Sequence, residues 1–121
     1  MDAKDKLIEI IDILDRLPYY EDSFIQIEVG YPNNYFAFNI DRNGDGTWDL
    51  SDITGNCRDS LYLSSIDIET LKFRVSFWNT IRSIYLTYNG NEFNIYENYP
   101  ITNKRIHYMQ DVISAKRARR Q

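Results

Sequence analysis

The sequence has a single cysteine, Cys57, and no long apolar run among its 121 residues. One cysteine excludes an internal disulfide, so a reducing compartment, the cytoplasm by default, is the expected location. No stretch approaches the roughly 20 apolar residues of a membrane-spanning helix, and the first residues lack a basic leader followed by an apolar segment. We therefore expect neither insertion into a membrane nor contact with one.

The motifs by which many enzymes are recognised are also missing. The sequence contains no phosphate-binding loop, dinucleotide fingerprint, serine elbow or Cys/His zinc spacing. The single histidine, His107, has no identifiable partner that would position it as a general base. Cys57 precedes Arg58, a cation that can activate a thiol, but an incidental or structural thiol is the simpler interpretation. The sequence therefore predicts a protein that is not an enzyme.

Apolar and acidic residues are what the chain does have. Hydrophobic residues make up 43% and aromatic residues 15%, with ten tyrosines, enough for one folded domain over 1–121. Residues 1–103 carry 8 basic against 17 acidic side chains, whereas 104–121 carry 6 against 1. An acidic body disfavours nucleic acid, so direct contact with nucleic acid is expected only through the basic tail at about 114–121. The charge is compatible with a basic protein partner.

Hydrophobic periodicity predicts most of the elements. Apolar residues at steps of three and four predict a helix over 2–17, which Pro18 ends. Alternation predicts strands within 24–29, 36–40 and 47–50, and a weaker strand at 60–63. The dipeptide Asn89-Gly90 between two aromatic and β-branched runs is the strongest hairpin signal in the chain. It joins predicted strands at 84–88 and 92–96.

Residues 68–82 admit two interpretations. Leu71, Phe73, Val75 and Phe77 alternate with polar residues, as in a strand. A helix capped by Asp67 would also align apolar residues, namely Ile68, Leu71, Val75, Trp78 and Ile81. That helix would place Arg74 inside its apolar arc, so the strand is favoured.

A last helix is predicted after Pro100, with its apolar residues facing inward. These are Ile106, Met109, Val112 and Ile113. The basic residues that follow suit a helix C-terminus. The predicted fold class is α+β: an N-terminal helix, an antiparallel sheet of about five to six strands and a C-terminal helix, with the helices on one face.

The segment 41–52 has the spacing of a calcium-binding loop. Oxygen-bearing side chains fall at positions 1, 3, 5, 9 and 12, with glycine at position 6. The candidate metal ligands are Asp41, Asn43, Asp45, Asp49 and Asp52, with the carbonyl of Thr47 as the backbone ligand. The alternative is a plain hairpin turn, because Asn-Gly and Asp-Gly pairs form turns readily.

This loop resembles the calcium loops of EF-hands, dockerins and FG-GAP repeats, over 12 of the 121 residues only. An EF-hand needs a helix on each side, whereas the segment before this loop alternates like a strand. The strand–loop–strand context is closest to the FG-GAP type, whose matched ligands are Asp41, Asn43, Asp45 and Asp49. Asp52 replaces the usual bidentate glutamate at position 12, which implies weaker binding of Ca²⁺.

Acidic residues also form a stripe along the first predicted helix. Its members are Asp2, Asp5, Glu9 and Asp12. Their spacing of about 5 Å is close to that of phosphates along a nucleic-acid strand, although Arg16 follows Asp12 at four residues. The alternative is a solvated helix face.

The favoured interpretation is a small acidic protein-binding module, of the inhibitor or immunity type, for a basic or nucleic-acid-binding partner. The second interpretation is a calcium-dependent structural or binding module that uses the 41–52 loop.

Overall fold

The computed structural model describes residues 2–31, 34–52 and 62–97. These residues form an α+β fold whose elements follow the chain in this order: α1 (Ala3–Arg16), β1 (Phe24–Tyr31), β2 (Asn34–Arg42), β3 (Trp48–Asp52), β4 (Tyr62–Ile66), α2 (Ile68–Val75), β5 (Ile81–Tyr88) and β6 (Asn91–Glu97). The strands form one antiparallel sheet in the order β4-β3-β2-β1-β5-β6. The predicted fold class is confirmed for these ranges. The predicted C-terminal helix lies outside the described residues.

Helix α1 begins and ends close to the predicted bounds. Asp2 is its N-cap and accepts a hydrogen bond from the backbone N–H of Asp5 at 2.8 Å, as a helix start requires. Leu7, Ile11 and Leu14 are fully buried against the sheet, because their spacing places them on one side of the helix.

Residues 68–82 correct the sequence prediction, because the segment begins as a helix and not as a strand. Asp67 accepts from the N–H of Thr70 at 2.7 Å and so caps α2. Leu71 and Val75 are fully buried, whereas Phe73 and Phe77 remain 63% and 62% exposed. The alternation was misleading because two of its four apolar residues, Phe73 and Phe77, are not part of the core. Arg74 is exposed, so it does not enter the core.

The remaining strands agree with the predictions to within a few residues. β4 spans Tyr62–Ile66, later than the predicted 60–63, and residues 53–61 lie outside the described ranges. In the β5–β6 hairpin, Asn89 and Gly90 have φ of 51° and 78°. Two consecutive positive φ values define the type I′ turn that an Asn-Gly hairpin favours.

The two faces of the sheet differ in chemistry. Side chains alternate along each strand, and both described helices pack on the face that carries the core. That core combines Leu7, Ile11, Leu14, Leu71 and Val75 of the helices with Ile25, Ile27, Phe38, Ile40, Trp48, Leu50 and Ile84 of the strands. The opposite face is polar and nevertheless buried. It carries Gln26, Glu28, Asn39, Asp41, Asp49, Ser51, Ser83 and Thr87.

Candidate functional site

The 41–52 segment folds as the β2–β3 hairpin, with 43–47 as its connection. The N–H of Asn43 donates to the carbonyl of Thr47 at 2.8 Å, and the N–H of Gly46 donates to the carbonyl of Asn43 at 3.1 Å. Gly46 has φ of +88°, a conformation that a residue without a Cβ adopts at no steric cost. The backbone alone therefore closes a tight turn, and the carbonyl of Thr47 already accepts a hydrogen bond.

The side chain of Asp45 folds back onto the turn. Its Oδ1 accepts from the hydroxyl of Thr47 at 2.6 Å and from the N–H of the same residue at 3.0 Å. The hydroxyl bond is the main reason that the pKa of Asp45 lies below its ordinary value of 3.8, and the N–H bond adds to it. Asp45 is exposed, so this carboxylate is a surface charge as well as a turn former.

Asn43 links the connection to strand β3. Its Nδ2 donates to the Thr47 hydroxyl oxygen at 3.0 Å and to Asp49 Oδ1 at 2.9 Å. Asp49 Oδ1 also accepts from the N–H of Ser65 at 2.9 Å. Ser65 has φ of 56° and lies where the β3–β4 register shifts. The carboxylate of Asp49 therefore holds both the loop and the irregular start of the β3–β4 pairing.

The structure brings together some of the predicted metal ligands and separates others. Asp41 lies directly across the β2–β3 ladder from Asp49, and its Oδ2 accepts from Asn39 Nδ2 at 2.8 Å. Asp52 is three residues after Asp49 on β3, so strand alternation turns it toward the opposite face. Within the described ranges, no three Asp, Glu, His or Cys side chains converge as metal ligands would. The residues that share one side of the hairpin are Asp41, Asn43, Thr47 and Asp49.

Arg42 connects this hairpin to α1, a role that the sequence analysis missed. Its guanidinium donates to the carbonyls of Leu14, of Leu17 at 2.6 Å and of Asp15 at 3.0 Å. The last carbonyls of a helix lack partners within the helix and attract cations. In the sequence, Arg42 is simply an arginine that follows a predicted strand. Nothing near it in the chain indicates that it binds the end of a helix 26 residues earlier.

Three of the four residues of the acidic stripe of α1 are exposed. Asp5 and Glu9 are exposed, and Asp2 combines exposure with its role as N-cap. Asp12 differs, because it forms an ion pair with Lys72 of α2. The hydrogen bond to Asp12 is the main cause that raises the pKa of Lys72 above 10.5. A surface concavity of about 500 Å³ is lined by three of these carboxylates together with Ile8, Ile13, Asp15 and Arg16.

The polar face of the sheet contains groups that the sequence did not single out. Ser83 Oγ donates to Glu28 Oε1 at 2.9 Å across β1 and β5. Gln26 and Asn39 are direct cross-strand neighbours. Of the described residues, Gln26 has a buried Nε2 and Asn39 a buried Oδ1 without a hydrogen-bond partner. Buried polar atoms of this kind cost free energy, so this face is stabilised less than the core.

Other candidates lie beyond the described ranges, namely Cys57, His107 and the basic tail. In the described ranges no helix has the length and apolar character needed to cross a membrane. Comparisons of the chain with protein-family models, with curated protein sequences and with solved structures each returned no match. The geometry of the described residues is therefore the basis for a functional proposal.

Proposed function

We propose that this protein is a small acidic, non-enzymatic binding module that acts as an inhibitor or immunity-type protein on a basic or nucleic-acid-binding partner. The observation that carries the proposal is the outer side of α1, where Asp5 and Glu9 are exposed on a helix anchored to the core by Leu7, Ile11 and Leu14. Exposed carboxylates on a helix that is packed against the core attract a cationic surface and steer its approach. The cytoplasm is the proposed location, since one cysteine leaves no internal disulfide.

The test is a charge reversal on α1 with a matched reversal elsewhere. The tagged full chain is used to capture its partner from the native host, and the captured partner is then purified and its affinity measured. Asp5→Lys combined with Glu9→Lys changes the net charge but keeps the backbone N–H of Asp5 that Asp2 caps and leaves both residues of the Asp12–Lys72 ion pair in place. Glu92→Lys combined with Glu97→Lys, on β6, changes the charge by the same amount.

The α1 double variant should lose at least about tenfold in affinity, whereas the β6 double variant should lose little beyond a general electrostatic effect. High salt should weaken binding by the wild type more than binding by the α1 variant. Equal affinity of the two double variants would reduce the stripe to a solvated helix face.

A calcium-dependent module is the second candidate, and the observation that favours it is the grouping of Asp41, Asn43 and Asp49 on one side of the hairpin. In the structure the side-chain NH₂ group of Asn43 donates to Asp49. A cation bound between these two side chains would take the place of that NH₂ group. Turning the amide over would present its oxygen instead, as Ca²⁺ requires.

For this candidate, Ca²⁺ should increase the free energy of unfolding by about RT ln(1 + [L]/Kd), and the melting temperature should rise accordingly. Asn43→Asp should enlarge the shift by adding a carboxylate, and Asn43→Leu should abolish it. Asp52→Asn should leave the shift unchanged, because strand alternation turns that residue away from the group. The absence of any shift at millimolar Ca²⁺ in the wild type and in Asn43→Asp would leave the hairpin as an ordinary turn.

A further inference from the structure

A second surface lies where α1 ends, and it is built from two exposed tyrosines. Tyr19 and Tyr20 are 43% and 40% exposed, and the neighbouring Leu17 is 36% exposed. Large side chains left partly exposed in one short segment form the kind of patch that marks an interaction site. The outer side of α1 is a separate surface, since these residues follow the helix.

Two hairpins, β2–β3 and β5–β6, hold this segment in place. Arg42 of the β2–β3 hairpin donates to the carbonyl of Leu17 at 2.6 Å. Tyr88, at the end of β5, donates its hydroxyl to the carbonyl of Pro18 at 2.8 Å. A binding segment that is fixed before binding loses little conformational entropy when a partner arrives.

Both tyrosine rings are packed on one side and open on another. A Cβ added to Gly44 would lie 3.4 Å from Cε1 of Tyr19, so the Tyr19 ring lies against the β2–β3 connection. The ring of Tyr20 meets that of Tyr88 edge to face, with centroids 5.4 Å apart and an interplanar angle of 82°. Tyrosines held in this way present rigid contact area and a hydrogen-bonding hydroxyl.

Three carboxylates are close in the chain to these tyrosines or to the residue that one of them contacts. Glu21 and Asp22 follow them directly in the chain and are exposed, and Asp45 is adjacent to the Gly44 on which Tyr19 packs. Between residues 14 and 22 the one cation is Arg16, and the guanidinium of Arg42 donates to backbone carbonyls. The charge of the surface is therefore complementary to a cation, and not to an acidic or purely apolar partner.

We propose that Tyr19 and Tyr20, with Glu21, Asp22 and Asp45, bind an arginine-bearing segment of a basic protein. A guanidinium stacks on an aromatic ring and at the same time donates to carboxylates, which an ammonium does less well. The proposal does not depend on the acidic residues of α1. Either of the two proposed binding surfaces can therefore be shown to be wrong while the other remains supported.

The test uses a blocked peptide of alternating glycine and arginine, and the same peptide with lysine in place of arginine. Affinity is measured for the full chain, and backbone amide shifts map the contact. The arginine peptide should bind several-fold more tightly than the lysine peptide and should shift the amides of Leu17, Tyr20 and Gly44.

Tyr19→Ser combined with Tyr20→Ser should weaken binding of the arginine peptide roughly tenfold. Phe73→Ser combined with Phe77→Ser removes two exposed rings from α2 and its following turn, and it should leave the affinity unchanged. Tyr19→Phe combined with Tyr20→Phe keeps the rings and should retain most of the binding.

Equal binding of the two peptides, or equal losses from the two serine variants, would overturn the proposal in favour of unspecific attraction to an acidic protein. If the tyrosine-to-serine variant does not fold, the amide shifts of the wild type decide. Shifts confined to α1, with none at Leu17, Tyr20 or Gly44, would also overturn it.

Discussion

Two hairpins of the sheet, β2–β3 and β5–β6, make the same change of direction by different physical means. The β5–β6 hairpin turns in two residues, and the positive φ of Asn89 and Gly90 is sufficient to shape it. The β2–β3 hairpin uses five connecting residues, and side chains of Asn43, Asp45 and Asp49 complete it. One turn therefore depends on backbone conformation, and the other depends on a polar network that a simple turn does not need.

Both of these hairpins also hold the segment after α1. The largest difference that we expect between the two hairpins is in how much these contacts contribute to stability. Arg42→Met should cost about 3 kcal/mol, because it removes charge-assisted bonds to three carbonyls while keeping much of the apolar stem. Tyr88→Phe removes one neutral bond, to Pro18, and should cost about 1 kcal/mol. Urea unfolding of both variants measures the difference. Equal losses would mean that the charge of Arg42 adds nothing to its role in holding the helix end.

Glycine replacement should separate the two turns further. Gly90→Val should cost about 2 kcal/mol, because a β-branched residue resists positive φ and nothing else fixes that turn. Gly46→Val meets the same strain at φ of +88°, but the bonds from Asn43 to Thr47 and Asp49 should hold the register, so we expect a loss of about 1 kcal/mol. Added Cβ atoms have open space at both positions, so a clash is not the cause.

The matched control is Gly90→Asn, since asparagine tolerates positive φ better than other side chains do. It should unfold at nearly the wild-type urea concentration. A Gly46→Val variant less stable than Gly90→Val would show that the side-chain network does not support the β2–β3 turn.

The smallest effect should be the pH dependence that Asp45 gives to one hairpin only. Because hydrogen bonds lower the pKa of Asp45 below 3.8 in the folded state, its contribution is complete above that pH and is lost as the pH falls through the folded value. Asp45→Asn should therefore flatten the acid side of the stability profile, measured by urea unfolding at several pH values. Asn89 and Gly90 do not titrate in this range, so Gly90→Asn should keep the wild-type slope.

The same contrast explains how much of the fold the sequence could predict. Helix α1 and the Asn89-Gly90 hairpin were predictable, because a periodic apolar side and a turn dipeptide act over a few residues. The 68–82 segment was assigned wrongly because Phe73 and Phe77 are exposed, and an alternation of exposed rings looks the same as one of buried rings. Its cap, Asp67, was the better signal.

The candidate sites show the same limit. Asp41, Asn43 and Asp49 lie on one side of the hairpin, because the ladder of a short hairpin follows from its loop length. Asp52 lies on the other face, and counting alternate residues along β3 from Asp49 would have indicated this. The contacts of Arg42 with the end of α1, and of Tyr19 with Gly44, join distant parts of the chain and have no local signature.

The chemical difference between the two faces of the sheet also protects its registry. A slip of β2 by one residue against β1 would turn Asn39 toward the helices and move Ile40 out of the core, and the same slip of β1 would do this to Gln26 and Ile25. Such a slip would bury amides among leucines and isoleucines, so misregistered pairings are strongly disfavoured. The amide side chains of Gln26 and Asn39 weaken the native face through their unsatisfied atoms, but they also favour the native alignment of the strands.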